Sequence, residues 1–268
     1  MKIWSNTRTL DGYIDDLQIT TNPVESEVAL LGSKKIDLEK FPNLKGIFRA
    51  GVGKDNVPVR EAEERRISVG FPSQSTVEII YDETASFTCG TIFRMVYRNT
   101  GALSPWVKTA RRALKDFNLL VIGRGNIGQR VIDLMKPFLN VTFYDKSHNS
   151  EDALHELIHQ ADVITLHIPY TPENNGFIDE EKLSWMKDNA VLINTSRGAI
   201  VSEDALYKEI KEGRLTAAFD VFWHEPYKGK LKEFHPERFY MTPHVASTCT
   251  AFLEETARDF RKFLERTG

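Results

Sequence analysis

The segment "NLLVIGRGNIGQRVIDLM", Asn118 to Met135, limits the possible folds more than any other stretch of the chain. Its first half is an unbroken apolar run ending in glycine, the pattern of a strand buried on both faces of a parallel sheet. Its second half has helical spacing. Between them Gly123, Gly125 and Gly128 stand in a GxGxxG frame. Alone that frame is weak. Placed directly after a strand and at the start of a helix, it is the mark of a dinucleotide-binding unit. Gly123 permits the tight turn, Gly125 lets the backbone approach a pyrophosphate, and Gly128 lets the helix lie close on the strand. The pyrophosphate then meets free N–H groups and the positive end of the helix dipole.

The rest of the chain alternates in the same way, brief β-rich runs with longer helical ones, which predicts an α/β fold with parallel sheets. "MKIWSN", "EVALLG", "LKGIFRAG" and "ISVGF" read as strands of a first region. A helix follows from about Val77 to Arg98, then a turn-rich break at "NTGALSPW". After "VIGRGNIG" come strands at "VTFYD", "DVITLHIP", "AVLINTS" and "TAAFDVF" and a short one in "RFYMTPHVAS". The helices between them include one capped by Ser150 and one ending at Gly213. The tail from Thr250 is amphipathic, with Phe252, Thr256, Phe260 and Leu264 on about one face, and its economical partner is the first region. Two domains are expected: residues 1–97 with 249–268 for the substrate, and 98–248 for the dinucleotide.

The formal net charge of -3 over 268 residues offers no footprint for nucleic acid or an anionic membrane. No apolar run reaches the roughly 20 residues of a membrane helix, and the first residues lack the apolar core of a secretory signal. Cys89 and Cys249 have no metal or redox spacing and read as buried free thiols of a reducing compartment, so the expected location is cytoplasmic. No metal spacing occurs among the seven histidines.

Asp145 ends the strand after the glycine loop, 17 residues beyond Gly128. A carboxylate there accepts from ribose hydroxyls and repels the 2′-phosphate of NADP, which favours NAD. Lys146 beside it leaves the strictness of that choice open. Three further strand ends are polar: "NTSRG", "DVFWHEP" and "TPHVAS". Ligands of open parallel sheets bind outside the carboxyl ends of strands, so Arg197, Glu225 and His244 can converge there. Arginine grips a carboxylate in two hydrogen bonds. Histidine gives a proton to a carbonyl oxygen as hydride reaches its carbon. Glutamate favours the imidazolium and fixes the ring. The set suits the interconversion of a 2-oxo acid and a 2-hydroxy acid. His224, next to Glu225, is a rival proton donor.

In these motifs the chain resembles the D-isomer-specific 2-hydroxyacid dehydrogenases. The resemblance rests on "FRAGVGKDNV", "VIGRGNIG", "ADVITLHIPYTPENNGFIDEEKLSWMKDNAVLINTSRGAIVSEDAL", "AAFDVFWHEP" and "TPHVAS", in the right order and at compatible spacings. It implies two Rossmann-like or flavodoxin-like domains with the active site in a cleft, and a homodimer built on the cofactor domain. It implies that Arg197 binds substrate carboxylate and carbonyl, with His244 as acid/base and Glu225 as its partner. Asn126 and Ile127 would join the three glycines at the pyrophosphate. His167, Ile168, Pro169, Thr195, Ser196, Asp220 and Ala246 would line the cofactor, and Val52 and Gly53 would offer N–H groups to the substrate carboxylate. Arg49 matches a substrate arginine of phosphoglycerate dehydrogenases. "LLGSKK" carries only Lys34 and Lys35 where those enzymes place another arginine, so 3-phosphoglycerate, glycerate or glyoxylate, and longer acids all remain open as substrates. A second reading from a different class is an NAD-sensing corepressor of the same fold that binds peptide partners.

Overall fold

The structure is a computed structural model describing residues 1–268. The chain divides into two compact units, Met1–Ile80 with Ser247–Gly268, and Tyr81–Ala246. Each is built on a parallel sheet.

In the first unit the sheet is β1 (Ile3–Ser5), β2 (Ile19–Thr20), β3 (Val28–Leu31), β4 (Gly46–Arg49) and β5 (Ser68–Gly70), in the spatial order β2-β1-β3-β4-β5. Burial follows the two-residue period of a strand. Val28 and Leu30 join Ile3 and Phe48 on one face, under Ala257, Phe260 and Phe263 of the last helix, α7 (Thr250–Thr267). Ala29, Leu31 and Ile47 face the other way, against Leu38, Phe41 and Ala62 of the connections, the last from helix α1 (Val59–Glu64). Both faces are covered, so the central strand β3 is apolar throughout. Gly46 and Gly70 admit the Phe263 ring: a Cβ on either would lie within 3 Å of it. Asp259 of α7 accepts from Ser73 N and Thr76 Oγ1, both at 2.7 Å, and so caps helix α2 (Gln74–Val96). This cap starts α2 three residues before the position expected from spacing.

The compact units part within α2, after Ile80, where the turn-rich sequence suggested a break beyond the helix. The reason is packing. Ala85, Cys89, Ile92 and Met95 are buried with residues of the second sheet. "NTGALSPW" is an exposed hairpin, β6 (Gly101–Ala102) with β7 (Val107–Lys108). The second sheet comprises β8 (Asn118–Ile122), β9 (Asn140–Tyr144), β10 (Val163–Leu166), β11 (Val191–Asn194), β12 (Thr216–Phe219) and β13 (Phe239–Met241), ordered β13-β12-β11-β10-β8-β9. Leu120, Ile122, Leu166 and Phe219 fill one side, and Leu119, Val121, Val163 and Ile193 the other. Besides α2, four helices cover it: α3 (Asn126–Met135), α4 (Glu151–Gln160), α5 (Glu180–Ser184) and α6 (Glu203–Glu212). Ser150 caps α4, and Gly213 ends α6 in the left-handed conformation. No helix is long and apolar enough to cross a membrane.

Cys249 departs from expectation. It is only partly buried, and its Sγ accepts from Phe252 N at 3.4 Å as the cap of α7. Cys89 is buried, and burial pushes its thiol up to about 11, which keeps it protonated.

Candidate functional site

In the second sheet the strand order reverses at β8, so the exits of β8 and β10 flank a switch point, where such sheets bind ligands. The glycine loop leaves β8 there. Gly123 has φ 95, and a Cβ on it would lie 2.6 Å from His167 O, so the turn and the β10 exit touch through backbone alone. A Cβ on Gly128 would lie 1.9 Å from Gly123 O, which ties the helix tightly to the turn. Gly125 differs: a Cβ there meets no atom within 4 Å. Nothing inside the protein demands glycine at 125, and the missing Cβ leaves the turn open to a group approaching from outside. Gly125 caps α3 without a side-chain hydrogen bond, so the N–H groups of Asn126, Ile127 and Gly128 open the helix unshielded by a capping side chain. This cradle fits a dinucleotide pyrophosphate.

Asp145, at the exit of β9, is braced in advance. Oδ2 accepts from Arg124 N at 3.0 Å, and Oδ1 from Ser147 N at 3.0 Å and Ser147 Oγ at 2.5 Å. These bonds, led by the Ser147 hydroxyl, hold the carboxyl down to about 2, so it is ionised at any working pH. At the β10 exit, burial drives the His167 imidazole down to about 3. That ring is neutral and shares a hydrogen bond with Thr165 Oγ1 at 3.0 Å.

Arg197 follows β11 in a loop organised by Asn194. Asn194 Oδ1 accepts from Ser196 N at 3.0 Å and Ser196 Oγ at 2.8 Å, and its Nδ2 donates to Arg197 O at 2.8 Å. The guanidinium donates through Nη1 to Ser196 O at 2.7 Å. The next loop, after β12, presses against this one: a Cβ on Gly198 would lie 2.1 Å from Phe222 C. That approach carries Glu225 into the field of Arg197. Trp223 pins the second loop by donating from Nε1 to Val201 O at 2.6 Å.

Asp220, 1% exposed at the end of β12, holds the segment after β13. It accepts from Thr242 Oγ1 at 2.6 Å, Val245 N at 2.9 Å and Ala246 N at 2.8 Å. Burial raises its pKa, against the pull of those bonds and of His244. Between the clasped residues His244 takes φ 56, a left-handed conformation uncommon for a side-chain-bearing residue. It turns Nδ1 to Glu225, 2.9 Å from Oε2 and 3.0 Å from Oε1. Burial alone would raise the Glu225 pKa. The His244 ring, the Phe222 N–H and the Arg197 charge outweigh burial and hold it below the usual glutamate range. His224 is exposed.

Arg197, Glu225 and His244 therefore belong to one constellation at the exits of β11, β12 and β13. Residues 97–246, more than half of the chain, match the sequence model described as D-isomer specific 2-hydroxyacid dehydrogenase, NAD binding domain. The chain belongs to this family. Its second unit thus holds an NAD-binding domain, and NAD is its cofactor.

Similar members of the family include a D-3-phosphoglycerate dehydrogenase of Methanocaldococcus jannaschii, 36% identical over 71% of this chain. The aligned part spans only 39% of that protein's length. A hydroxypyruvate reductase of Thermotoga maritima is 34% identical over 80% of this chain and 74% of its own. A glyoxylate reductase of Thermococcus litoralis is 32% identical over 84% of this chain and 74% of its own. Among solved structures, a D-lactate dehydrogenase from Aquifex aeolicus complexed with NAD and lactic acid superposes with a TM-score of 0.80 at 25% identity, covering 99% of this chain and 94% of that one.

Sequence reasoning missed Asn194, Thr242 and Ser147. A buried asparagine ending an apolar strand was the available signal for Asn194. Thr242 and Ser147 carried none, because a hydroxyl is ordinary in a loop.

Proposed function

We propose that the protein is an NAD-dependent D-2-hydroxyacid dehydrogenase interconverting a small 2-oxo acid and the D-2-hydroxy acid. The observation that carries this reading is His244 held by both oxygens of Glu225 through Nδ1, which leaves Nε2 available for proton transfer. Bound NADH supplies the hydride. His244 Nε2 gives its proton to the substrate oxygen as hydride arrives at C2, and Glu225 stabilises the imidazolium beforehand. Arg197 binds the substrate carboxylate and polarises the carbonyl. In the first unit Val52 and Gly53 offer N–H groups to the carboxylate, and Arg49 stands at the base of their loop. Asp220 would hold the nicotinamide amide, with Thr195, Ser196 and Ala246 lining the ring. His167, Ile168 and Pro169 would line the adenosine side of the cofactor.

The glyoxylate and hydroxypyruvate reductases among its relatives support a short substrate. The active form is a homodimer in the cytoplasm, free of nucleic acid and membrane. Support for self-association comes from the hairpin at 101–108, where Leu103 is 81% and Trp106 76% exposed. The deciding experiment mixes the protein with NADH and a panel of 2-oxo acids and follows NADH absorbance. Turnover of one or more with D-stereochemistry is expected. NADH binding without any turnover would replace this reading with that of an NAD-sensing corepressor.

A further inference from the structure

Two asparagines tie together three strand exits of the first unit. The order β2-β1-β3-β4-β5 reverses between β1 and β3, which makes these exits the ligand edge of that sheet. Asn56, in the loop after β4, is 5% exposed. Its Oδ1 accepts from Arg49 Nε at 3.1 Å, and its Nδ2 donates to Gly32 O at 2.7 Å and Lys34 O at 2.9 Å. An amide has two donor hydrogens and one acceptor oxygen, so each of its groups is engaged in holding the β4 exit to the β3 exit. From β1, Asn6 grips the same segment: Oδ1 accepts from Gly32 N at 2.8 Å, and Nδ2 donates to Lys34 O at 3.0 Å. Arg49, 6% exposed, carries the clamp onward by donating from Nη1 to Ala50 O at 2.7 Å. A Cβ on Gly51, where φ is 151, would lie 2.6 Å from that Nη1. The guanidinium thus lies against the turn that leads into Val52 and Gly53.

We infer that Asn56 is a positioning residue for the substrate carboxylate, acting through Arg49 on the Gly51–Gly53 turn. The inference rests on the proposed function, in which Val52 and Gly53 take that carboxylate. Backbone donors bind well only when aimed before the ligand arrives, because ordering a loop at the moment of binding subtracts from affinity. The saturated amide of Asn56 removes that cost. Arg49 then serves as a brace for every 2-oxo acid, not as a ligand for a second anionic group.

The test uses the full chain with NADH. Asn56→Asp keeps the shape and the acceptor for Arg49, but its ionised carboxylate donates to neither carbonyl. The measurements are KM for glyoxylate and for 3-phosphohydroxypyruvate, kcat, KM for NADH, Tm, and Kd for oxamate, an unreactive 2-oxo acid mimic, in the NADH complex. Both KM values and the oxamate Kd should rise together by roughly 10-fold, with kcat and the KM for NADH within about 2-fold of wild type. A merely structural role would lower Tm and kcat and leave KM in place, which overturns the inference. So does a loss confined to the phosphorylated acid. If Asn56→Asp does not fold, Asn6→Ala loosens the same clamp from β1. It should raise KM, and Asn6→Asp, which keeps the acceptor for Gly32 N–H, should recover most of the loss; unchanged KM in Asn6→Ala overturns the inference. Wild-type binding of oxamate without turnover would sink the proposed function alone, since the effect of Asn56→Asp on Kd still decides the clamp. Failure of the wild type to bind oxamate would overturn the clamp's role.

Discussion

A proton donor is identified by what holds it. His244 has a carboxylate clasp, a forced left-handed backbone and a loop anchored by Asp220. His224 is exposed and has no such setting. A positioned donor is worth roughly 10²–10⁴-fold, so His244→Ala should lose about that much in kcat/KM and His224→Ala far less. The sign of the pH effect follows from Glu225. Its pKa is depressed, so it is ionised throughout the neutral range and favours the imidazolium. Reduction needs the protonated ring, so the rate falls as pH rises, and Glu225→Gln should move that fall to lower pH. A pH profile that stays in place in Glu225→Gln would break the pairing. Arg197 offers a second residue-scale test. Arg197→Lys keeps the charge and loses the fork, and should cost on the order of 10- to 1,000-fold in kcat/KM. NADH affinity should barely change; if it collapses while oxo-acid kinetics survive, the role assigned to Arg197 is wrong.

At the scale of elements, the turn from β8 to α3 separates two reasons for a glycine. Gly128→Ala drives a Cβ into Gly123 O, a backbone atom that cannot give way cheaply. It should lower Tm with no ligand present. Gly125→Ala meets nothing in the protein. It should leave Tm alone and weaken NADH binding, as read by calorimetry. Equal loss of Tm in both variants would refute the distinction. Asp145, fixed at the β9 exit by Ser147 and Arg124, should repel a 2′-phosphate. Asp145→Ala should therefore narrow the ratio of kcat/KM for NADH over NADPH, and a ratio that does not move would return discrimination to Lys146 and its neighbours.

For the whole molecule the question is what covers the hairpin. Gly101 is required by its geometry, since a Cβ there would lie 2.1 Å from Val107 O. The hairpin is thus built to a defined shape, yet it exposes Leu103, Trp106 and Val107. Exposed apolar area of this kind commonly marks an interface. The end of α2, which leads into the hairpin, borders a groove of about 540 Å³ lined by Phe93, Arg94, Tyr97, Arg98 and Pro236. A second copy of the chain is the occupant proposed for this face. Light scattering after size exclusion should give a dimer for the wild type and a monomer for Trp106→Lys at micromolar concentration. A monomeric wild type, or an unchanged mass in the variant, would remove this surface from the assembly.

Most elements and the glycine cradle were legible in the sequence because they rest on short-range rules. Strands buried on both faces, such as Leu119–Ile122, must be apolar without a break, and a strand–glycine–helix turn has few other uses. Residue types at strand ends pointed to Arg197, Glu225 and His244 for the same reason. Other features depend on distant partners and leave no local trace. The start of α2 is set by Asp259 in the last helix. The meeting of the Arg197 and Glu225 loops depends on Gly198 seating against Phe222. The saturation of Asn56 depends on two carbonyls more than twenty residues away. Local pattern thus determined which chemistry the chain carries, and tertiary packing decided which groups are aimed, because aiming needs hydrogen bonds between segments that periodicity cannot connect.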